Sequence, residues 1–350
     1  MSAPAPRDLT PAAARPRRAE APAPARPSVA TTPAAVPTPS EPGPGRLGLS
    51  RPALGLVLLA LCVAPFALVL AVSLGVPEDG AAWDWGLSLQ NYRRVFVGLD
   101  WPETTSRLYL ARLGWSLAYA ALASVVAVAF AFPLAWAIAR RSRRTQTIWL
   151  VFLLASLSLS EVFVVMGWDI LMSNRSGLPM LFRESGLTDA LKATPIFDWL
   201  REQGLASPRD VRFKTSVPLT VLVMAYLVFP YAVILLYPAL SRIDPAMMEA
   251  ARTMGARPGT VMRTVVIPQV RLPLLGAVLL LFVFLLGAYV VVTQFADPAR
   301  HTLTVSIYES VRGATLNAPF GAAQAVVLLV AAATALLAAS GLARLAERAR

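Results

Sequence analysis

The sequence predicts an all-α polytopic membrane protein with six transmembrane helices. Its 350 residues are 56% hydrophobic and only 15% charged, where a soluble domain carries about 25% charged residues. The mean hydropathy is +0.59. The charges cluster between long uncharged runs, as in a chain that crosses lipid repeatedly.

Residues 1–50 stand apart in composition. They hold 12 of the 29 prolines, repeat Ala-Pro and lack apolar periodicity. Such a stretch cannot bury enough surface to offset its ordering entropy, so it is expected to be a disordered, Pro/Ala/Arg-rich cytoplasmic tail. Its Gly43–Gly48 stretch, "GPGRLG", matches the dinucleotide fingerprint only formally, because no strand precedes it.

Six apolar runs follow, at about 53–74, 115–138, 148–172, 217–240, 272–296 and 320–343. Each is long enough to cross a hydrocarbon core of roughly 30 Å, and backbone satisfaction in lipid makes each a helix. Pro65, Pro133 and Pro230 lie inside runs and predict kinks. The first run is too long, and too far from the start, for a cleaved signal segment.

Orientation follows from the short loop between the second and third runs, which carries Arg140, Arg141, Arg143 and Arg144. That density of positive charge places it in the cytoplasm, and counting outward places both termini there too. Arg46, Arg51, Arg344, Arg348 and Arg350 agree. The long loop 173–216 then faces outside, and the stretch 242–270 faces the cytoplasm.

The net charge of +12 accompanies the apolar runs and sets topology, which argues against a nucleic-acid footprint. One cysteine, Cys62, and one histidine, His301, leave no internal disulfide and no Cys/His metal site. With one histidine, no metal-ligand cluster and no paired intramembrane carboxylates, little catalytic equipment is left for a membrane-embedded enzyme.

Between the fourth and fifth runs, "SRIDPAMMEAARTMGARPGTVMRTVVIP" reads as two short helices around a turn. Asp244 is the expected N-cap, with Pro245 at the first helical position. Ala246, Met247, Ala250, Ala251 and Met254 form a small apolar face at helical spacing. Gly255 suits a left-handed C-terminal residue. Pro258 can begin the second helix, and Pro268 is expected to end it before the chain re-enters the membrane. An ordinary surface loop has no need of such order.

Glu249-Ala250-Ala251, with Gly255 four positions on and Pro268 thirteen beyond that, resembles the EAA motif of binding-protein-dependent ABC importer permeases. Val265 and Ile267 stand where that motif usually has Ile and Leu. The resemblance covers roughly 87–342 and extends to the spermidine/putrescine-type permeases, through "LSLQNYRRVF", "FPLAWAIARRSRR" and "FPYAVILLYPALSRIDPAMMEAARTMGA". It departs in an apparent insertion near 191–212, and in Ala288, where many polyamine-type relatives are acidic.

The resemblance implies a type I ABC importer transmembrane-domain fold in a bacterial cytoplasmic (inner) membrane. It implies two ATPase subunits, a second permease subunit, most simply in a heterodimer, and an external solute-binding protein. The coupling loop 242–270 would dock on the ATPase through Asp244, Glu249, Ala250, Ala251, Gly255 and Pro268. No G-x-x-x-x-G-K-[ST] occurs in the chain, so ATP and magnesium are expected on the partner ATPase, with no cofactor in this chain. A polyamine-like cation is the first expectation for the cargo; other small organic solutes and a chelated metal stay open.

Glu161 lies about 13 residues into the third run, roughly 20 Å deep on a continuous helix. It is expected either to line the translocation path or to make a structural hydrogen bond with a neighbouring helix. Tyr289, Thr293 and Gln294 are further path candidates. Asp169 is expected near the outer interface, without a special role. The alternative to an importer is a channel or secondary transporter without an ATPase partner, which should show inverted repeats or several buried charges.

Overall fold

A computed structural model describes residues 51–78, 83–98, 102–207, 211, 213–313 and 316–348. The expected disordered tail, 1–50, lies outside the described residues. The chain divides into two units, Met1–Gly55 and Leu56–Arg350. In the first, only the opening residues of helix α1 are described.

In chain order the helices are α1 (Arg51–Ser73), α2 (Gln90–Val97), α3 (Leu108–Ala139), α4 (Arg143–Ser156), α5 (Glu161–Leu171), α6 (Leu178–Glu184), α7 (Leu187–Lys192) and α8 (Pro195–Glu202). They continue with α9 (Val217–Ser241), α10 (Pro245–Thr253), α11 (Pro258–Val261), α12 (Ile267–Leu286), α13 (Val290–Phe295), α14 (Leu303–Arg312) and α15 (Ala318–Arg348). A two-residue antiparallel hairpin, β1 (Val76–Pro77) with β2 (Trp83–Asp84), follows α1.

Among the described residues, 5 helical stretches are long and apolar enough to cross a membrane, and a bent pair of helices makes a sixth. The core forms where α3 packs on α9 and α12. Helix α3 presents Ala120, Ala123, Ala127, Ala131 and Ala135 to it, all buried. Their three- and four-residue spacing makes one smooth stripe. In lipid, association depends on van der Waals packing rather than on a hydrophobic drive, and small residues let helix backbones approach closely. Val228, Ala232, Val233 and Leu236 of α9 belong to the same buried cluster.

Two of the expected spans are corrected. The run 148–172 is not one helix: α4 and α5 meet at 88°. The sequence Ser156-Leu-Ser-Leu-Ser160 explains the break. Ser156 Oγ bonds back to the Leu153 carbonyl at 2.7 Å, a habit that bends helices. The following amides tighten onto carbonyls three residues back, Ser158 to Ala155 and Leu159 to Ser156. Ser160 is then extended, and α5 restarts at Glu161. The depth assigned to Glu161 from a continuous rise therefore does not hold.

The fifth span lies earlier than 272–296. A continuous helical path runs Pro258–Leu286 over 29 residues, and Gly287 to Tyr289 separate it from α13. Pro268 consequently does not end a helix. Residues Met262–Val266 widen into a π-turn, and Ile267 N–H donates to the Met262 carbonyl. That wider register lets the path continue through Pro268, which lacks an N–H, in the first turn of α12. The loop 173–216 also holds three short helices, α6 to α8.

Candidate functional site

The first candidate site is α10 and its caps. Asp244 is extended and accepts from Ala246 N–H at 2.9 Å, with Pro245 at the first helical position. The other end closes with paired bonds, Ala256 N–H to the Ala251 carbonyl at 3.1 Å and Gly255 N–H to Arg252 at 2.9 Å. Gly255 has φ +83°. This is a Schellman turn with glycine in its left-handed position. Replacing Asp244 by alanine removes the cap at a cost of about 1 kcal/mol. The α10 amides of an Asp244→Ala variant are expected to exchange hydrogen about fivefold faster, read by native-state exchange.

The side chains of α10 divide into two edges. Met248 and Ala251 are buried in the chain's own core, together with Ile243, Val261, Val266 and Val270. Glu249, Ala250, Arg252 and Gly255 are exposed, as are Met247 at 50% and Met254 at 81%. Ala251, expected to meet a partner, therefore faces inward and leaves the outward surface to Met247, Ala250 and Met254. The result is a short, capped helix fused to α9 and α12 that shows a flexible, sulfur-rich stripe. Methionine at such a surface adapts to the shape of whatever covers it.

The base of α10 is tied sideways to α3, which the sequence does not reveal. The Arg140 guanidinium, just beyond α3, donates to the Met248 sulfur at 2.8 Å and lies 4.2 Å from the centre of the Trp136 ring. Burial, and then the neighbouring Arg252 charge, lower the Arg140 pKa from its ordinary value. Gln146 donates to the carbonyls of Ala139 and Arg141 at 3.2 and 2.9 Å. It accepts from the Tyr237 hydroxyl at 2.8 Å.

The second candidate is a cavity of about 520 Å³ between α4, α5, α9 and α12. Its wall includes Met224, Tyr231 and Phe284, and both interruptions of the helical path reach it, through Leu159 and Glu161 on one side and Gly287 and Ala288 on the other. Broken backbone at membrane depth is tolerated where it lines a cavity. Glu161 is the only acidic residue in this lining. It occupies the first turn of α5, where the helix dipole favours a carboxylate. The structure shows no hydrogen bond or ion pair to its carboxylate from another described residue.

The other path candidates are not brought to this wall. Thr293 Oγ1 bonds to the carbonyls of Tyr289 and Val290 in its own chain segment. Tyr289 stacks on Tyr308 with ring centres 4.2 Å apart. Gln294 donates to Asp169 at 2.6 Å, and Lys214 forms an ion pair with the same Asp169 oxygen at 2.6 Å. Asp169 thus pins α5 to α13 and to the segment entering α9. The sequence separates these three residues widely and offers no periodicity that would join them.

Residues 113–349 match the family model described as "Binding-protein-dependent transport system inner membrane component". The inner membrane ABC transporter permease protein YdcU of Escherichia coli is 24% identical over 61% of this chain and 66% of its own length. The spermidine/putrescine transport system permease protein PotB of the same organism is 22% identical over 76% of this chain and 86% of its own. A probable molybdenum ABC transporter permease protein of Haloferax volcanii is 28% identical over 68% and 78%. Among solved structures, a bacterial ABC transporter involved in the import of the acidic polysaccharide alginate superposes with a TM-score of 0.55, at 15% identity, over 83% of this chain and 92% of that one. At that identity the likeness concerns fold alone.

Proposed function

The chain belongs to the binding-protein-dependent transport system inner membrane components, and from that premise we propose that it is the permease subunit of an ATP-driven importer for a small cationic, amine-bearing solute. The observation that carries the ATP-driven part is α10: a helix capped at both ends, rooted in the core by Met248 and Ala251, and exposing Met247, Ala250 and Met254. A cytoplasmic ATPase pair, holding ATP and magnesium, closes on this helix and on its counterpart in a second permease subunit. The displacement opens the membrane helices outward, and a loaded external binding protein releases its solute to them. Both chain termini are then cytoplasmic.

The cargo reading rests on Glu161 in the apolar cavity, supported by the polyamine name of PotB. The relatives are named for different cargoes, so Glu161 is the feature of this chain that selects among them. The fitting experiment is purification of the tagged chain in mild detergent from its native host, with mass spectrometry of the proteins retained. An ABC ATPase, a second permease and a solute-binding protein are expected. A homo-oligomer without ATPase, under conditions that preserve a known importer, would overturn the reading in favour of a channel or secondary transporter.

A further inference from the structure

We propose that Arg140 is a positioning residue that carries the movement of α10 into α3. The inference rests on the importer reading. Helix α10 is joined to α9 and α11 through its own chain, but α3 lies far away in sequence. The link to α3 is lateral: Arg140 reaches from the end of α3 to Met248, the most buried residue of α10, at 2.8 Å.

Two features make that link stiff. Trp136, one turn earlier on α3, lies flat enough to the guanidinium for a 4.2 Å approach, and a planar guanidinium held on an aromatic face keeps one orientation. The far end of the link is fixed by Gln146, which ties the Ala139 carbonyl at the end of α3 and the Arg141 carbonyl just beyond it to α4 and, through Tyr237, to α9. Arg252 adds a like charge on the α10 side, and no carboxylate forms an ion pair with Arg140 or Arg252 among the described residues. Arg140 is therefore held by a ring and a sulfur, contacts that depend on shape and shift when α10 shifts. Helix α3 packs on α9 and α12, so a push delivered at its end is shared by the whole core.

The test uses the complete complex in proteoliposomes, with solute uptake and ATP hydrolysis measured together in the presence of loaded binding protein. In Arg140→Met the solute carried per ATP is expected to fall about fivefold, while the ATPase still co-purifies. Trp136→Leu should reproduce this and add nothing to it in the double variant, whereas Trp136→Phe, which keeps a ring for the guanidinium, should restore most of the ratio. Met248→Leu fills the same space without a sulfur acceptor and should give a smaller fall; it carries the test if Arg140→Met does not fold. An unchanged ratio, or uptake and hydrolysis lost together with the ATPase, overturns the role of Arg140. A wild-type complex that retains no ATPase overturns the importer reading itself, before any variant is compared.

Discussion

A Gly255→Val variant is expected to assemble with its partners yet import at less than a tenth of the wild-type rate. Gly255 sits at φ +83°, and a Cβ placed there meets nothing within 4 Å. Space is therefore not the obstacle; backbone conformation is. A β-branched residue in the left-handed region costs on the order of 1–3 kcal/mol. The cheapest relief is to unwind the last turn of α10, which moves Met254 and Ala250 out of their stripe while Met248 and Ala251 stay rooted. Hydrolysis should then lose its stimulation by the loaded binding protein. Asparagine tolerates the left-handed region better than valine, so Gly255→Asn should keep most of the uptake. Wild-type uptake in Gly255→Val would remove α10 from the coupling machinery.

The contrast between the two sites explains what was legible in the sequence. The α10 caps are local: Asp244 reaches two residues ahead and Gly255 closes bonds within its own turn. Residue type and spacing were enough to place both. The inward turn of Ala251 was not legible, because helical spacing defines a stripe without saying which edge the core takes. The breaks in the third and fifth spans were missed for a related reason. Apolar run length measures how much lipid a segment tolerates, and serine back-bonding after Leu153 or a pause at Gly287 hardly changes that measure. Contacts such as Arg140 with Met248, or Asp169 with Lys214 and Gln294, join residues from distant segments. Only tertiary packing brings them together, although the four-residue step from Trp136 to Arg140 was a visible hint of stacking.

Replacing Glu161 by glutamine should slow uptake of a cationic solute about tenfold or more, with spermidine and putrescine as the probes. The side chain keeps its size and, having no partner among the described residues, leaves no broken bond behind. What changes is charge alone, in a cavity whose other lining is mainly apolar. Two unit charges about 4 Å apart attract by roughly 4 kcal/mol at an effective dielectric of 20. Glu161 is exposed, so screening weakens that attraction, and an effect of about 1.4 kcal/mol, a factor of ten, is the one expected of the substitution. A charged solute held only by the external binding protein would lose nothing on this substitution. The comparison therefore separates a cavity that recognises charge from one that merely admits what is delivered. Glu161→Asp, which keeps the charge on a shorter arm, should fall between the two. Equal uptake by wild type and Glu161→Gln would leave the cavity as a passage and return the choice of cargo entirely to the binding protein.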